Sequence, residues 1–288
     1  MKKERLNGEA DTLAQSADRQ DGDPCDMGDA LSARVIADHL NTSFMGRPLL
    51  LLSSVDSTNL YLKNLASPTL PSGYAVVADG QTGGRGSRNR PFLSERGQGI
   101  YLSLFLRPDR PQPDLQLLTV CGALAAANAV EAVCGIRADI KWVNDLYCMG
   151  KKLCGILCEA IQPGNLQQPA SVVVGIGLNT GRLPEPIRDI ATSVLALTGK
   201  SGLRNSLIAE LLNQFEALYL HGFCGEGRPD LLAAYDSRLY LKHQRVLVTE
   251  AQRAFAATLL GVDQRGALVV REDGGALRQL IAAEIRPL

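Results

Sequence analysis

Between Pro48 and Leu178 the apolar pattern keeps changing period. Strand-length runs alternate with helical ones, and such a chain can bury both only by laying helices against a sheet. Leu31, Val35, Ile36 and Leu40 follow helical spacing, and Pro48 to Leu52 is strand-sized. Ser57 or Thr58 can cap a helix toward Ala66, and Tyr74–Ala78 and Ile100–Leu106 read as strands. After a proline-rich turn at Pro108 to Pro113, Asp114 is a suitable N-cap for a long Leu- and Ala-rich helix through Val133. Strands are predicted at Asp139–Trp142, Lys152–Ile161 and Ser171–Leu178, with Cys148 through Ile161 reading as strand material, and helices at Asn205–Leu220 and Pro229–Asp236.

Past Asp236 the texture shifts to short β-type runs: Val246–Val248, Ala254–Val262, Ala267–Val270 and Leu277–Ile285. Turn signals at Asp263–Gly266 and Asp273–Gly275 separate them. A small β-barrel of about fifty residues accounts for this pattern. Residues 1–28 are polar and poor in aromatics, as expected of a disordered tail. The expected division is therefore a tail over 1–28, a catalytic and ligand-binding domain over 29–237 and a barrel over 238–288.

Composition narrows the function classes. Thirty basic and thirty acidic side chains cancel, so no overall field draws the chain to DNA or a membrane, and anion recognition must be local. The start, Met1-Lys2-Lys3-Glu4-Arg5, leads into polar residues rather than a signal sequence, and no run of about 18 apolar residues is expected. Seven cysteines without paired CxxC units read as buried thiols, not as a metal site. The expected location is the cytoplasm.

Three segments carry chemistry. Gln81-Thr82-Gly83-Gly84-Arg85-Gly86-Ser87-Arg88-Asn89-Arg90 combines glycines, which let a backbone approach a ligand, with arginines that supply planar cationic forks. It is neither a P-loop nor a dinucleotide fingerprint; the competing reading is a surface hairpin with solvated arginines. Lys141-Trp142-Val143-Asn144-Asp145-Leu146, followed by Gly150-Lys151-Lys152-Leu153-Cys154-Gly155, crowds polar groups at a strand end, as at a pocket, or else leaves exposed strand-end charges. Val172 to Asn179 is a buried-type strand whose two glycines admit close approach of a ligand or of a packing helix.

In this order, the three segments and Asp56-Ser57-Thr58-Asn59 resemble the biotin protein ligases from about Val55 to the C-terminus. The resemblance matches Gln81–Arg90 to the family's Gly-Arg-Gly-Arg adenylate loop and Lys141–Leu146 to its Lys-Trp-Pro-Asn-Asp-Leu signature. It implies an α+β fold: a central mixed β-sheet with helices, of the class II synthetase and biotin/lipoate ligase type, plus a small C-terminal SH3-like β-barrel. It also implies an enzyme that joins biotin to ATP as biotinyl-AMP, with Mg2+, and transfers biotin to a lysine of the biotin carboxyl carrier domain of a biotin-dependent carboxylase.

By the same resemblance, Ser57, Thr58, Asn59, Gln81 and Arg85 hold biotin, with Gly84, Gly86 and Gly155 in the binding set. Lys152 reaches its carboxylate or the phosphoryl oxygen. Arg88 and Arg90 offset phosphate charge, Phe92 covers adenine, and Asn144 and Asn179 are candidates for nucleotide or its magnesium. Lys152, Arg85 and Asp145 are the catalytic candidates. Asp145 would take up the acceptor lysine, an ammonium of pKa about 10.4 when free, and Lys141 would pair with Asp145.

The sequence also departs from the family. Ser87 replaces the second arginine, with Arg88 the candidate substitute, and a loosely held adenylate would label non-cognate lysines. Asn89 replaces a glycine the family often has, though Asn tolerates left-handed backbone better than most residues, Val143 replaces proline, and Ile281-Ala282-Ala283-Glu284-Ile285 stands for a Gly-Gly-Glu-Ile run, which weakens the case for barrel contacts to nucleotide. The N-terminal DNA-binding domain of bifunctional members is not expected. A homodimer is left open. The rival readings are a lipoate protein ligase and a non-catalytic biotin or nucleotide sensor.

Overall fold

The computed structural model describes residues 29–109, 114–161, 171–251 and 253–288. The expected tail and part of the proline-rich turn lie outside the described residues. Seven strands form a mixed sheet: β1 (Leu49–Leu52), β2 (Tyr74–Ala78), β3 (Gly99–Leu106), β4 (Asp139–Lys141), β5 (Asp145–Cys148), β6 (Lys151–Ile161) and β7 (Ser171–Asn179). Their order is β1-β2-β3-β7-β6-β5-β4; β1 runs parallel to β2 and the other neighbours are antiparallel. The stretch read as continuous from Cys148 to Ile161 is two strands turning at Met149-Gly150, both of which have positive φ.

The period-two side-chain alternation divides the sheet into two faces. On β3, Ile100, Leu102, Leu104 and Leu106 enter the main core with α3 (Leu115–Cys134) and α5 (Arg204–Leu218), while Phe105 packs on the opposite face with Leu62 of the short helix α2 (Thr58–Leu65). Asp114 caps α3 by accepting from the Leu117 N–H at 3.0 Å, as its sequence position predicts. The expectation of no membrane-length apolar segment needs correction: α3 is long and apolar enough to qualify. Its most apolar stretch is 78% buried inside the protein, as befits a core helix. Each fully buried Leu or Val contributes about 1.5–3 kcal/mol of hydrophobic stabilisation.

The helical stretch expected around Leu31 to Leu40 contracts to α1 (Ala33–Asp38), and a helix absent from the sequence reading, α4 (Val194–Thr198), begins with Ser193 accepting from the Ala196 N–H. After α6 (Arg228–Asp236), residues 238–240 run along the outer edge of β4. Ile140 donates its N–H to Arg238 O at 2.7 Å and accepts from the Tyr240 N–H at 2.9 Å. The second sheet comprises β8 (Arg245–Glu250), β9 (Arg253–Val262), β10 (Leu268–Glu272), β11 (Leu277–Leu280) and β12 (Glu284–Pro287), in the order β11-β10-β9-β8-β12. The single run expected from Leu277 to Ile285 is thus two strands at opposite edges, and this antiparallel sheet is not closed into a barrel by strand pairing. Trp142 Nε1 donates to Gly266 O at 3.0 Å, and Val246, Val248, Leu259 and Leu268 share the main core, so the small sheet is bonded to the large one rather than tethered beside it.

Glu216 on α5 holds the turn leading into β1. Its buried carboxylate accepts from the N–H groups of Ser43, Phe44 and Met45 at 2.6, 3.0 and 2.9 Å. Burial pushes its pKa up, but these bonds outweigh it and hold the group below the usual glutamate range. A depressed native pKa means that this stabilisation is present above the unfolded-state pKa and is lost as pH falls through the native one. Glu216→Gln is expected to cost about 1–3 kcal/mol at neutral pH. In chemical denaturation at neutral pH and at pH values below the normal glutamate pKa, the gap between variant and wild type should narrow in acid.

Candidate active site

The sheet face that carries α2 is only partly covered by that short helix, and the uncovered part forms a small pocket of about 40 Å3 that adjoins a wider groove. Its walls come from the start of α2, the 81–92 loop, the start of β5 and parts of β3, β6 and β7. The two glycines of β7 serve a definite purpose. A Cβ on Gly175 would lie 2.2 Å from Asn59 Oδ1, and one on Gly177 would lie 2.6 Å from the Phe92 ring. On β6, a Cβ at Gly155 would press on the Lys152 side chain at 3.1 Å. The missing side chains are therefore the space in which Asn59, Phe92 and Lys152 stand.

Gln81 organises the deep end. Its Oε1 accepts from the Thr58 N–H at 2.9 Å, and its Nε2 donates to Ser94 Oγ at 2.9 Å. Ser57 occupies the N-cap position of α2 but makes no side-chain capping bond, so Gln81 takes over a capping role assigned from sequence to Ser57 or Thr58. Ser57, Thr58 and Asn59 are all buried and all line the pocket.

The glycine-rich segment is a folded-back loop. Phe92 N–H donates to Gly84 O at 2.9 Å and Gly86 N–H to Arg90 O at 2.8 Å. A short 3-10 turn at Ser87–Asn89 forms its tip, with Arg88 in the left-handed region at φ 57°. The left-handed residue is thus Arg88, one position before the Asn89 that sequence reasoning favoured for it. Arg85, Gly86 and Ser87 face the pocket, whereas Arg88 and Arg90 reach Glu284 of β12 at 3.5 and 3.3 Å. The Arg286 hydrogen bond to Glu284, reinforced by Arg90, holds that carboxyl below its usual pKa. Residues Ile281 to Arg286 also form one wall of a larger groove that continues from the pocket past Phe92, Lys141 and Asn179. The small sheet therefore borders the groove through the segment that stands in place of the family's Gly-Gly-Glu-Ile run.

At the pocket mouth Lys152 Nζ lies 2.7 Å from Asp145 Oδ1, a pair that is partly exposed on both sides. Lys141 is not the partner expected for Asp145. Although the backbones of Lys141 and Asp145 are opposite each other in the β4–β5 ladder, the Lys141 amine donates to Tyr147 Oη at 3.3 Å and sits over the Tyr147 ring. Burial pulls the Lys141 pKa down, partly countered by Asp145 and Glu284. Asn144 and Asn179 are oriented by donating Nδ2 to Ile156 O at 2.8 Å and Thr192 O at 3.1 Å. Both line the groove. Among the described residues no group of three or more His, Cys, Asp or Glu is placed to hold a metal ion.

The chain is 33% identical over 259 residues to the bifunctional ligase/repressor BirA of Bacillus spizizenii, covering 88% of this chain and 78% of that protein. This chain belongs to the biotin protein ligase family. The model of the biotin/lipoate A/B protein ligase family matches residues 51–179. The biotin--[acetyl-CoA-carboxylase] ligase of Mycobacterium tuberculosis is 32% identical over 76% of this chain and 81% of its own length. The biotin protein ligase from Aquifex aeolicus, solved in complex with biotin and ATP, superposes with TM-score 0.73 at 27% identity, over 83% of this chain and 99% of that one.

The structure therefore gathers Ser57, Thr58, Asn59, Gln81, Arg85, Gly86, Phe92, Asn144, Asp145, Lys152 and Gly155 round one pocket, while Gly84 supports Phe92 from behind. Arg88, Arg90, Lys141 and Asn179 stand along the adjoining groove. Sequence reasoning missed Ser103, Glu159 and Lys63, which hold Asn59 and Thr58 from below. The available signal was a lone polar residue inside an apolar strand: Ser103 within Ile100–Leu106 and Glu159 within Lys152–Ile161. Because Asn59 is pinned from three sides, Gly175→Ala has nowhere to push it and should cost about 1–3 kcal/mol, measurable by thermal or chemical unfolding. Alanine at the solvent-facing Gly274, whose Cβ would meet nothing within 4 Å, should cost much less.

Proposed function

We propose that the chain activates biotin with magnesium-bound ATP as biotinyl-5'-AMP and then transfers the biotinyl group to a lysine of a biotin carboxyl carrier domain. The single observation that carries this reading is the Lys152–Asp145 pair at the mouth of a deep polar pocket, one loop away from Arg85. That arrangement answers both difficulties of the reaction.

The first step brings a carboxylate against a triphosphate. Two like-charged groups 4 Å apart repel by about 4 kcal/mol near a protein surface, so fixed cations must stand where the charge accumulates. Arg85 and Lys152 line the pocket between its deep end and the groove, and Arg88 and Arg90 line the groove beside it. A biotin carboxylate oxygen attacks the α-phosphorus, the bond to the β-phosphate oxygen breaks, and pyrophosphate leaves. In the second step the acceptor amine attacks the carbonyl of the mixed anhydride and AMP departs with the bonding electrons. The amine must first lose a proton, and the Asp145 carboxylate at the mouth is placed to attract the ammonium and accept it. Lys152, already paired there, keeps that carboxylate oriented.

The deep end supports biotin over lipoate. Thr58 and Gln81 present polar atoms that suit the N–H and C=O groups of a cyclic urea, whereas a dithiolane offers no donor and would leave them unpaired. The six free thiols among the described residues fit a reducing compartment, and the proposal includes a cytoplasmic location.

Asp145→Asn separates the two steps. Single-turnover assays should show adenylate formation falling by less than about tenfold and transfer to a carrier domain by about a hundredfold or more, as for loss of a proton acceptor. Equal losses in both steps would remove Asp145 from the transfer step.

A further inference from the structure

Asp145 is the first residue of β5, and Trp142, Val143 and Asn144 form the hairpin loop that joins it to Lys141 at the end of β4. A loop this short usually leaves its polar groups to water. Here each of the three residues is tied to a different part of the protein. Trp142 Nε1 donates to Gly266 O at 3.0 Å, the Asn144 carbonyl accepts from the Ile156 N–H at 2.8 Å, and the Val143 carbonyl accepts from Tyr235 Oη at 3.0 Å.

Of these ties, the one from Tyr235 comes from deepest in the protein. Its side chain is fully buried in the main core and lines neither the pocket nor the groove. A phenylalanine would bury the same ring. The hydroxyl adds nothing to apolar packing and gives up its water to be there, so what it contributes is the bond to Val143. Burial, with the Asp145 carboxylate as a second cause, holds the Tyr235 pKa well above the usual phenol value, so the proton stays on the oxygen. A carbonyl can only accept, which makes the hydroxyl the donor.

The helix that carries Tyr235 is braced along its length. Arg228, at the start of α6, pairs with Asp114 below α3 at 3.1 Å, and Arg238, just past the end of α6, pairs with Glu131 of α3. Asp236 accepts from the Val262 N–H of β9 at 3.0 Å. Tyr235 is thus a fixed point one hydrogen bond from the loop, and the residue it holds is two positions before Asp145. In front of the carboxylate stands Lys152, whose long, partly exposed side chain can follow it; the backbone behind decides where it stands.

We propose that Tyr235 is a positioning residue: by holding the Val143 carbonyl from the core, its hydroxyl sets where the Asp145 carboxylate stands, and so governs transfer to the acceptor amine without touching a substrate. The inference rests on the reading above, in which Asp145 accepts the proton of the acceptor ammonium, and goes beyond it by naming what fixes the carboxylate. Proton transfer requires the two heavy atoms within about 2.6–3.2 Å, so a small shift of the loop is enough to slow it. Adenylate formation, which draws on Arg85 and Lys152, does not need that proton acceptor.

Single-turnover assays on the full chain, with biotin, magnesium-bound ATP and a carrier domain lacking biotin, compare wild type, Tyr235→Phe, Asp145→Asn and the double variant. Each rate constant is taken per site able to form adenylate. Tyr235→Phe should slow transfer about tenfold and leave adenylate formation within about threefold. In the Asp145→Asn background the same change should slow transfer by less than about twofold, because groups that act through one carboxylate are not additive. Hydroxylamine, an amine already neutral at neutral pH, should take the biotinyl group from wild type and Tyr235→Phe at rates within about twofold of each other. A merely structural role would lower both half-reactions and the hydroxylamine reaction together, and its effect would multiply with that of Asp145→Asn. Any of those results, or a Tyr235→Phe chain that forms no adenylate, would overturn this inference and leave the functional reading standing. Failure of wild type to form the adenylate from biotin, or to transfer it, would overturn the functional reading and this inference with it.

Discussion

The absence of side chains at Gly155 on β6 and at Gly175 and Gly177 on β7 is the constraint on which the rest of the site depends. Gly155 and Gly177 are directly opposed in the ladder, and Gly175 is paired with Ser103 on the other side. In an ordinary sheet these positions would carry side chains that fill the face under α2. Here the face is stripped bare, and the space is taken by Asn59 from a helix, Phe92 from a loop and Lys152 from the same strand as Gly155. The pocket is thus an omission in the sheet, lined by groups brought in from three elements.

Electrostatics are equally local. The chain has no net charge, and a few of its cations line the pocket and groove. Arg85 and Lys152 border the pocket, and Arg88 and Arg90 border the groove with Glu284 of the second sheet between them. That ion pair is exposed on the arginine side, so it is a weak tie of the kind a triphosphate can displace. The small sheet thereby becomes a wall of the site. Its attachment through Trp142 and Gly266 lies next to the Asn144–Asp145 segment it helps to position.

Much of this was legible in the sequence because local rules coincide with the final structure. Tyr74–Ala78 is a strand as read, Asp114 caps its helix, and the three chemical segments do meet at one pocket. What was not legible arises from side-chain geometry across elements. Lys141 and Asp145 are neighbours in the ladder, yet the long flexible amine turns to Tyr147, and Asp145 is left to Lys152, whose side chain lies over Gly155. Spacing alone cannot distinguish these pairings. Nor can it show that Leu277–Ile285 splits across both edges of a sheet, because a run of β-formers does not reveal where pairing changes partner. Ser103 and Glu159 were hidden for a related reason: a single polar residue in an apolar strand gains meaning only when the opposing residue is known.

The central claim is that this pocket activates biotin, and the most direct measurement is exchange of labelled pyrophosphate into ATP by the purified chain with magnesium and no acceptor, comparing biotin with lipoate. The account predicts exchange that depends on biotin and is absent with lipoate. Exchange supported by lipoate, or by neither acid, would contradict it.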